Sequence, residues 1–192
     1  MIHDRKQLEE YLIADAKANR KKNYKEWRFG DECWKFIKSY RKLEYYSSQC
    51  GIKKVFLLGL YVIEKIRFHS LSLKCGFSIP LNCFDSGMSI AHRGCLVVNG
   101  NARIGKNCRI HEGVTIGTTG GSNKAPRIGN NVFIGSGAKI IGDIEIADDV
   151  AIGANAVVVK SILEKGTTWA GNPAKKISDN DSHSFLSSLL DL

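Results

Sequence analysis

No two of the six cysteines stand in a CxxC pair: Cys33, Cys50, Cys75, Cys83, Cys95 and Cys108 are scattered along the chain. Cysteine usage of this kind does not suggest a secreted disulfide scaffold. With no cleavable leader ahead of them, the cysteines read as buried, reduced thiols of a cytoplasmic protein. Long apolar runs are missing as well. The longest, residues 55–63, falls far short of the roughly 20 residues of a spanning helix. The expectation is a soluble chain, cytoplasmic, that meets the inner face of a membrane at its surface or not at all. Nor is there a homeodomain, zinc-finger or RNA-binding signature to accompany the net charge of +9, so no nucleic-acid partner is expected. Excess positive charge suits other anions instead, such as phosphates or a lipid surface.

What is present suffices for one core. A chain of 192 residues, 43% of them hydrophobic, folds as a single domain with an appendage at most. Its texture changes along the way. Before residue 76 glycine is rare and helix formers dominate, so residues 1–75 read as an α-helical N-terminal region. Amphipathic patches occur at 5–18, 31–46 and 53–73. The third carries Phe56, Leu57, Leu60, Val62, Ile63, Ile66 and Leu73, apolar over much of its girth. It is expected to pack on the rest of the fold, the alternative being a face for a membrane or another subunit.

From about residue 97 a period of six sets in. Aliphatic residues recur at Val98, Ile104, Ile110, Ile116, Ile128, Ile134, Ile140, Ile146, Ile152 and Val158. Four places after most of them stands a small or β-branched residue, among them Ala102, Cys108, Val114, Val132, Ala138, Val150 and Ala156. Each hexapeptide then supplies one short strand and one corner, and three complete a triangular coil whose aliphatic residues stack inward. Such a solenoid has a continuous core only when several coils stack. The fold class predicted is mainly β, a left-handed parallel β-helix (hexapeptide repeat) over 76–177, preceded by the short helical region. A polar, glycine-rich interruption at 118–127 should protrude as a loop, and loops on rigid scaffolds often carry function. Residues 178–192 form a C-terminal tail, with Phe185, Leu186, Leu189 and Leu190 available for a short docking helix or a frayed end.

Histidine suits a base at neutral pH, and only five are present. His92 and His111 lie in the coil, 19 residues apart, about one coil apart and one position out of phase. His92 sits in Ser89-Ile-Ala-His-Arg-Gly94, just ahead of the regular repeats.

The stretch from Gly87 to Gly94, the loop after Ile116-Gly-Thr-Thr, Pro126-Arg-Ile-Gly-Asn-Asn-Val-Phe-Ile-Gly-Ser136, and the close Trp169-Ala-Gly-Asn-Pro-Ala174 together resemble serine acetyltransferases of the hexapeptide-repeat superfamily. The resemblance covers roughly residues 76–177. It implies acyl transfer from acetyl-CoA to a hydroxyl with no metal required, and His92 as the catalytic base. It also implies a homotrimer with active sites between subunits, the loop reaching toward the neighbour. The matching CoA positions are Ser136, Gly153 and Ala154, with Lys160 and Lys175 facing the CoA phosphates.

The departures concern the acceptor. Where the family has an Asp directly before the catalytic His, this chain has Ala91; a second, upstream Asp that orients the His falls on Phe77 or Ser78. The loop's Arg-His pair, which holds the amino acid carboxylate, aligns with Lys124-Ala125. The family's long helical N-terminal domain is replaced by a shorter segment. In style the chain is therefore closest to O-acetyltransferases of capsule or exopolysaccharide, and the expected acceptor is a sugar of a surface polysaccharide. Asn82, Arg93, Glu112 and Lys124 are the candidate acceptor contacts, and Asp85 is the carboxylate to support His92. The alternatives are L-serine as acceptor, N- rather than O-acetylation, and a non-catalytic trimeric scaffold. A zinc carbonic anhydrase on the same scaffold would want a third histidine near His92 and His111, so no metal ligand is assigned. Association of two trimers through the N-terminal helices stays open.

Overall fold

The computed structural model describes residues 2–26 and 28–190, with side chains given up to Leu186 within the last helix. Three helices come first: α1 (Arg5–Ala18), α2 (Glu32–Ser48) and α3 (Gly51–Cys75). Asp4 caps α1 by accepting from Gln7 N at 2.8 Å, and Asp31 caps α2 through Trp34 N, each satisfying an otherwise orphaned amide. Gly76, at φ 78°, ends α3 in the left-handed conformation that glycine takes without a Cβ penalty. All three helices were legible, each within a few residues of its ends.

Beyond Gly76 the chain winds as a left-handed parallel β-helix. One wall is β1 (Phe77–Ser78), β3 (Leu96–Val98), β6 (Thr115–Gly117), β9 (Lys139–Ile141) and β12 (Val157–Val158). The second is β4 (Arg103–Ile104), β7 (Arg127–Ile128) and β10 (Glu145–Ile146). The third is β2 (Ser89–Ile90), β5 (Arg109–Ile110), β8 (Phe133–Ile134), β11 (Ala151–Ile152) and β13 (Thr168–Ala170), with β14 (Lys175–Ser178) antiparallel on its end. All ten residues of the six-residue period are buried and stack in register, as Ile110 does on Ile90 and Ile134. The small residues four places later are buried at the corners.

One corner shows why it takes its residues. Asn107, Asn131 and Asp149 all have positive φ and form a ladder, Asn107 Nδ2 donating to Asn131 Oδ1 at 3.0 Å and Asn131 Nδ2 to Asp149 Oδ1 at 2.9 Å. Short polar side chains tolerate this backbone and satisfy one another along the stack. Gly87 tops the ladder, because a Cβ there would sit 2.3 Å from Asn107 Oδ1.

A buried ionic knot docks the helices onto the first coil. Arg41, fully buried on α2, donates through Nε to Asp15 Oδ2 at 2.7 Å and through Nη1 to Glu44 Oε2 at 2.9 Å. It also reaches the carbonyls of Phe84 and Asp85, while Asp15 accepts from Gly87 N and Met88 N. α4 (His183–Leu190) packs back on α1, Leu186 against Ala18. That realises the docking alternative for the tail; the side chains of Leu189 and Leu190 lie outside the described residues.

Three expectations need correction. Of the cysteines only Cys75, Cys83 and Cys108 are buried, while Cys50 and Cys95 are exposed; all six are free. The loop is exposed at Thr119, Gly120, Gly121, Asn123 and Lys124, but Ala125 and Pro126 are buried and Arg127 already belongs to β7. And α3 packs on α2 through Phe68 and Leu71 while its other face is open: Ile52, Val55, Phe56, Ile63 and Ile66 are exposed, Phe56 by 82%. Among the described residues no helix is long and apolar enough to cross a membrane.

Candidate active site

The register of the third wall sets the site. Ile90 pairs with Ile110 and Ile110 with Ile134, so the corner after each strand stacks on the corner of the next coil. The first coil's corner is two residues longer, so Gly94 stands over Glu112 and His92 projects beside them, while Glu112 stands over Ser136 and Ser136 over Ala154. The His92 and His111 rings come together edge to face, 5.8 Å between centroids. Ser136 Oγ lies 3.5 Å from His111 Nδ1, and Glu112 Oε2 lies 4.0 Å from the same nitrogen. Phe133 packs edge-on against His111 and is stacked in turn by Phe185 of α4.

The electrostatics at this corner are uneven. Burial, then the charge of Arg109, pushes the His111 imidazole below its ordinary range. The Ser136 hydroxyl holds the Glu112 carboxyl below the ordinary carboxylate range, aided by the two histidines. His111 Nε2 and Glu112 Oε2 are both buried without a hydrogen-bond partner. Such orphaned groups are costly and mark a place where a further polar group fits. His92 itself is exposed, free to meet an acceptor. His92, His111 and Glu112 each offer one metal-ligating atom within 4.8 Å of the others. Closing on zinc with bonds of about 2.1 Å would require this set to contract.

The column continues toward the far end of the helix. Gly135 and Gly153 are glycines because the next coil presses on them: a Cβ on Gly135 would lie 2.7 Å from Ala154 N, and one on Gly153 would lie 3.0 Å from Ala170 Cβ. Coils stack about 4.8 Å apart, so from His92 to Ala154 is a step of about 14 Å. Lys160 and Lys175 line one cavity of about 270 Å³ with Trp169 and Pro173 at the end of the helix, Lys160 following Val158 at the corner after the first wall. Thus Ser136, Gly153 and Ala154 share the corner with His92, and the two lysines share the end.

Not every candidate joins them. Arg93 does, lining the cavity of about 320 Å³ that holds His92, its guanidinium 3.7 Å from Glu32. Asp85 and Asn82 do not. They line a separate cavity with Tyr11 and Arg103, where Asp85 accepts from Ser86 N at 2.6 Å. Tyr11 is pushed up to about 12 by burial and by its hydrogen bond to Asp85. Asn82 gives its backbone N–H to Glu44 at 2.7 Å. The reason is geometric: Asp85 precedes His92 by seven residues, more than one hexapeptide, which is a corner earlier in the coil. Glu112, one coil below, is the carboxylate that His92 meets. Lys124 pairs with Asp143 at 2.8 Å on the loop's own corner, away from His92 of the same chain. Sequence reasoning missed Arg20 and Arg109, which line the His92 cavity. The signal for Arg109 was its place in the repeat, next to an inward Ile and so facing outward. Arg20, in the α1–α2 connection, had none.

The bacterial transferase hexapeptide family (six repeats) matches residues 125–160. A serine acetyltransferase from Helicobacter pylori (strain ATCC 700392 / 26695) is 44% identical over 94 residues, 48% of this chain and 54% of that protein. One from Synechococcus elongatus (strain ATCC 33912 / PCC 7942 / FACHB-805) is 36% identical over 121 residues, 62% of this chain and 49% of that protein. The crystal structure of serine acetyltransferase from Brucella abortus strain S19 superposes with a TM-score of 0.72 at 24% identity, over 93% of this chain and 72% of that one. The chain spans about half the length of the relatives it matches in sequence. It resembles serine acetyltransferases, and it shares their hexapeptide-repeat fold.

Proposed function

We propose that the chain is an acetyl-CoA-dependent O-acetyltransferase. The observation that carries this reading is the corner at which His92, His111, Glu112 and Ser136 converge. His92 takes the proton from an acceptor hydroxyl as its oxygen attacks the thioester carbonyl. The tetrahedral intermediate collapses, the C–S bond breaks, and His92 returns the proton to the leaving CoA thiolate. Glu112 steadies the transient imidazolium in place of the missing aspartates. The pantetheine arm lies along Ser136, Gly153 and Ala154, and the two lysines meet the CoA phosphates as point charges. A homotrimer completes the site, each loop 118–126 reaching the His92 corner of its neighbour.

For the acceptor, the relatives favour L-serine over the polysaccharide sugar expected from the sequence, since those reported above are all named serine acetyltransferases. A sugar acceptor keeps one specific support: Ala91 stands beside His92 and Lys124 is tied to Asp143, so the family's contacts to serine are not reproduced by the same residues. Thiol release from acetyl-CoA, measured with L-serine and with a sugar panel for wild type and His92→Ala, tests both. The variant should lose about 10²–10⁴-fold. Turnover with serine alone decides for serine and turnover with a glycan alone for the sugar. Silence with every acceptor, and no CoA binding by calorimetry, would leave a non-catalytic scaffold.

A further inference from the structure

The cavity that holds His92 is walled on one side by β2 and β5 and on the other by the α1–α2 connection. Four cations line it, Arg20, Lys21, Arg93 and Arg109, against two carboxylates, Asp31 and Glu32. Asp31 is engaged, and Glu32 is ion-paired although its Oε2 makes no hydrogen bond. Asp31 is ion-paired with Lys21 and caps α2. Glu32 is held by Lys74 at 2.9 Å, with Arg93 at 3.7 Å. Arg20 and Arg109 remain, and among the described residues neither has a carboxylate partner.

Their placement is fixed by the fold. Arg109 is half-buried on the outer face of β5, where Nη1 donates to Ser89 Oγ at 3.1 Å. Arg20 follows Asn19, whose side-chain amide donates to the carbonyls of Met88 and Asp15 at 2.8 and 2.7 Å, pinning the connection to the first coil. The two guanidiniums are near enough that the charge of Arg20, after burial, holds Arg109 below its ordinary range. Like charges set together in a partly enclosed cavity repel, and an anion seated between them relieves both. A planar guanidinium matches a carboxylate in bidentate geometry.

Resting on the acetyltransferase reading, we propose that Arg20 and Arg109 form the acceptor's anion subsite, selecting hydroxyl acceptors that carry a carboxylate. The subsite supplies from within the chain the cationic contact that the loop's Lys124, ion-paired with Asp143, and Ala125 do not. Two acceptor types share the chemistry, a hydroxy amino acid and an acidic sugar, and both bring a hydroxyl and a carboxylate within one small molecule.

The test uses acceptor pairs in which the carboxylate is replaced by a neutral amide: L-serine against L-serinamide, and glucuronate against glucuronamide. Steady-state thiol release is measured for wild type, Arg109→Gln, Arg20→Gln and Arg109→Lys. The charged member of one pair should be preferred, and each Gln variant should raise its KM about ten- to a hundredfold with a smaller change in kcat. KM for the neutral member should stay put, and Arg109→Lys should recover part of the loss. The pair that responds identifies the acceptor type. Equal KM for charged and neutral members, or an equal rise for both in the variants, overturns the subsite while leaving acetyl transfer standing. Should no acceptor be turned over, calorimetric titration of wild type with L-serine and glucuronate still decides. Binding lost in the Gln variants supports the subsite, and no binding, or binding unchanged in them, overturns it.

Discussion

His92 and Asp85 lie seven residues apart in sequence yet serve different corners of the coil, and that separation assigns their roles. Asp85→Asn should leave acetyl transfer within about twofold, since its partners are Ser86 and Tyr11 and surface-side substitutions of this kind are mild. Glu112→Gln keeps the shape and removes the charge that faces His92. It should lower kcat by at least tenfold, and a steady-state comparison of the two variants separates the carboxylates. Equal losses would reverse the assignment. His111 carries a prediction of its own. Its folded pKa is depressed by burial and by Arg109, so the unfolded chain binds the proton more tightly. Stability is then full above the unfolded value of about 6.5 and falls as the pH drops through it toward the folded value. The urea midpoint of wild type should drop more between pH 8 and pH 5 than that of His111→Gln. A larger drop in the variant would contradict the placement of the ring.

At the scale of elements, legibility tracks how local the cause is. The coil was readable because one inward aliphatic residue per six residues sets both register and core, so Ile110 and Ile134 could be placed without knowing anything distant. The same regularity put Ser136, Gly153 and Ala154 on one column. Asp85 and Asn82 were misplaced because nearness along a triangular coil is not nearness in space. Arg20 was invisible because its position depends on where α1 docks, and that depends on a contact between residues far apart in sequence, Asp15 with Gly87 and Met88. This docking knot can be tested directly. Arg41→Ala leaves Asp15 and Glu44 as uncompensated buried charges and should cost about 3–5 kcal/mol. Arg41→Met with Asp15→Asn and Glu44→Gln removes the charges together and should cost much less. Denaturant titrations of both read the difference, and a mild effect of Arg41→Ala would show that the helices dock through Trp34, Phe36 and Tyr40 alone.

For the whole molecule, the open face of α3 is the feature that the coil does not explain. Ile52, Val55, Phe56, Ile63 and Ile66 share one side of a 25-residue helix, and contiguous exposed apolar surface of this kind marks a contact. Lys53, Lys54, Lys65 and Arg67 stand on the same helix against the single acid Glu64, which is buried. Like charge along the rim opposes stacking one such helix on another copy, whereas an anionic lipid surface is matched in both respects, apolar side inserted and cations at the headgroups. A trimer would present three of these helices, so weak individual binding is multiplied if all three face one way. The expected outcome is that the purified chain sediments as a trimer and co-floats with vesicles containing phosphatidylglycerol, not with phosphatidylcholine alone, and that raised salt weakens the association. Phe56→Asp with Ile63→Asp should abolish flotation and leave the trimer mass intact. Concentration-dependent doubling of the trimer that these substitutions abolish, with no flotation by wild type, would assign the face to a second trimer instead.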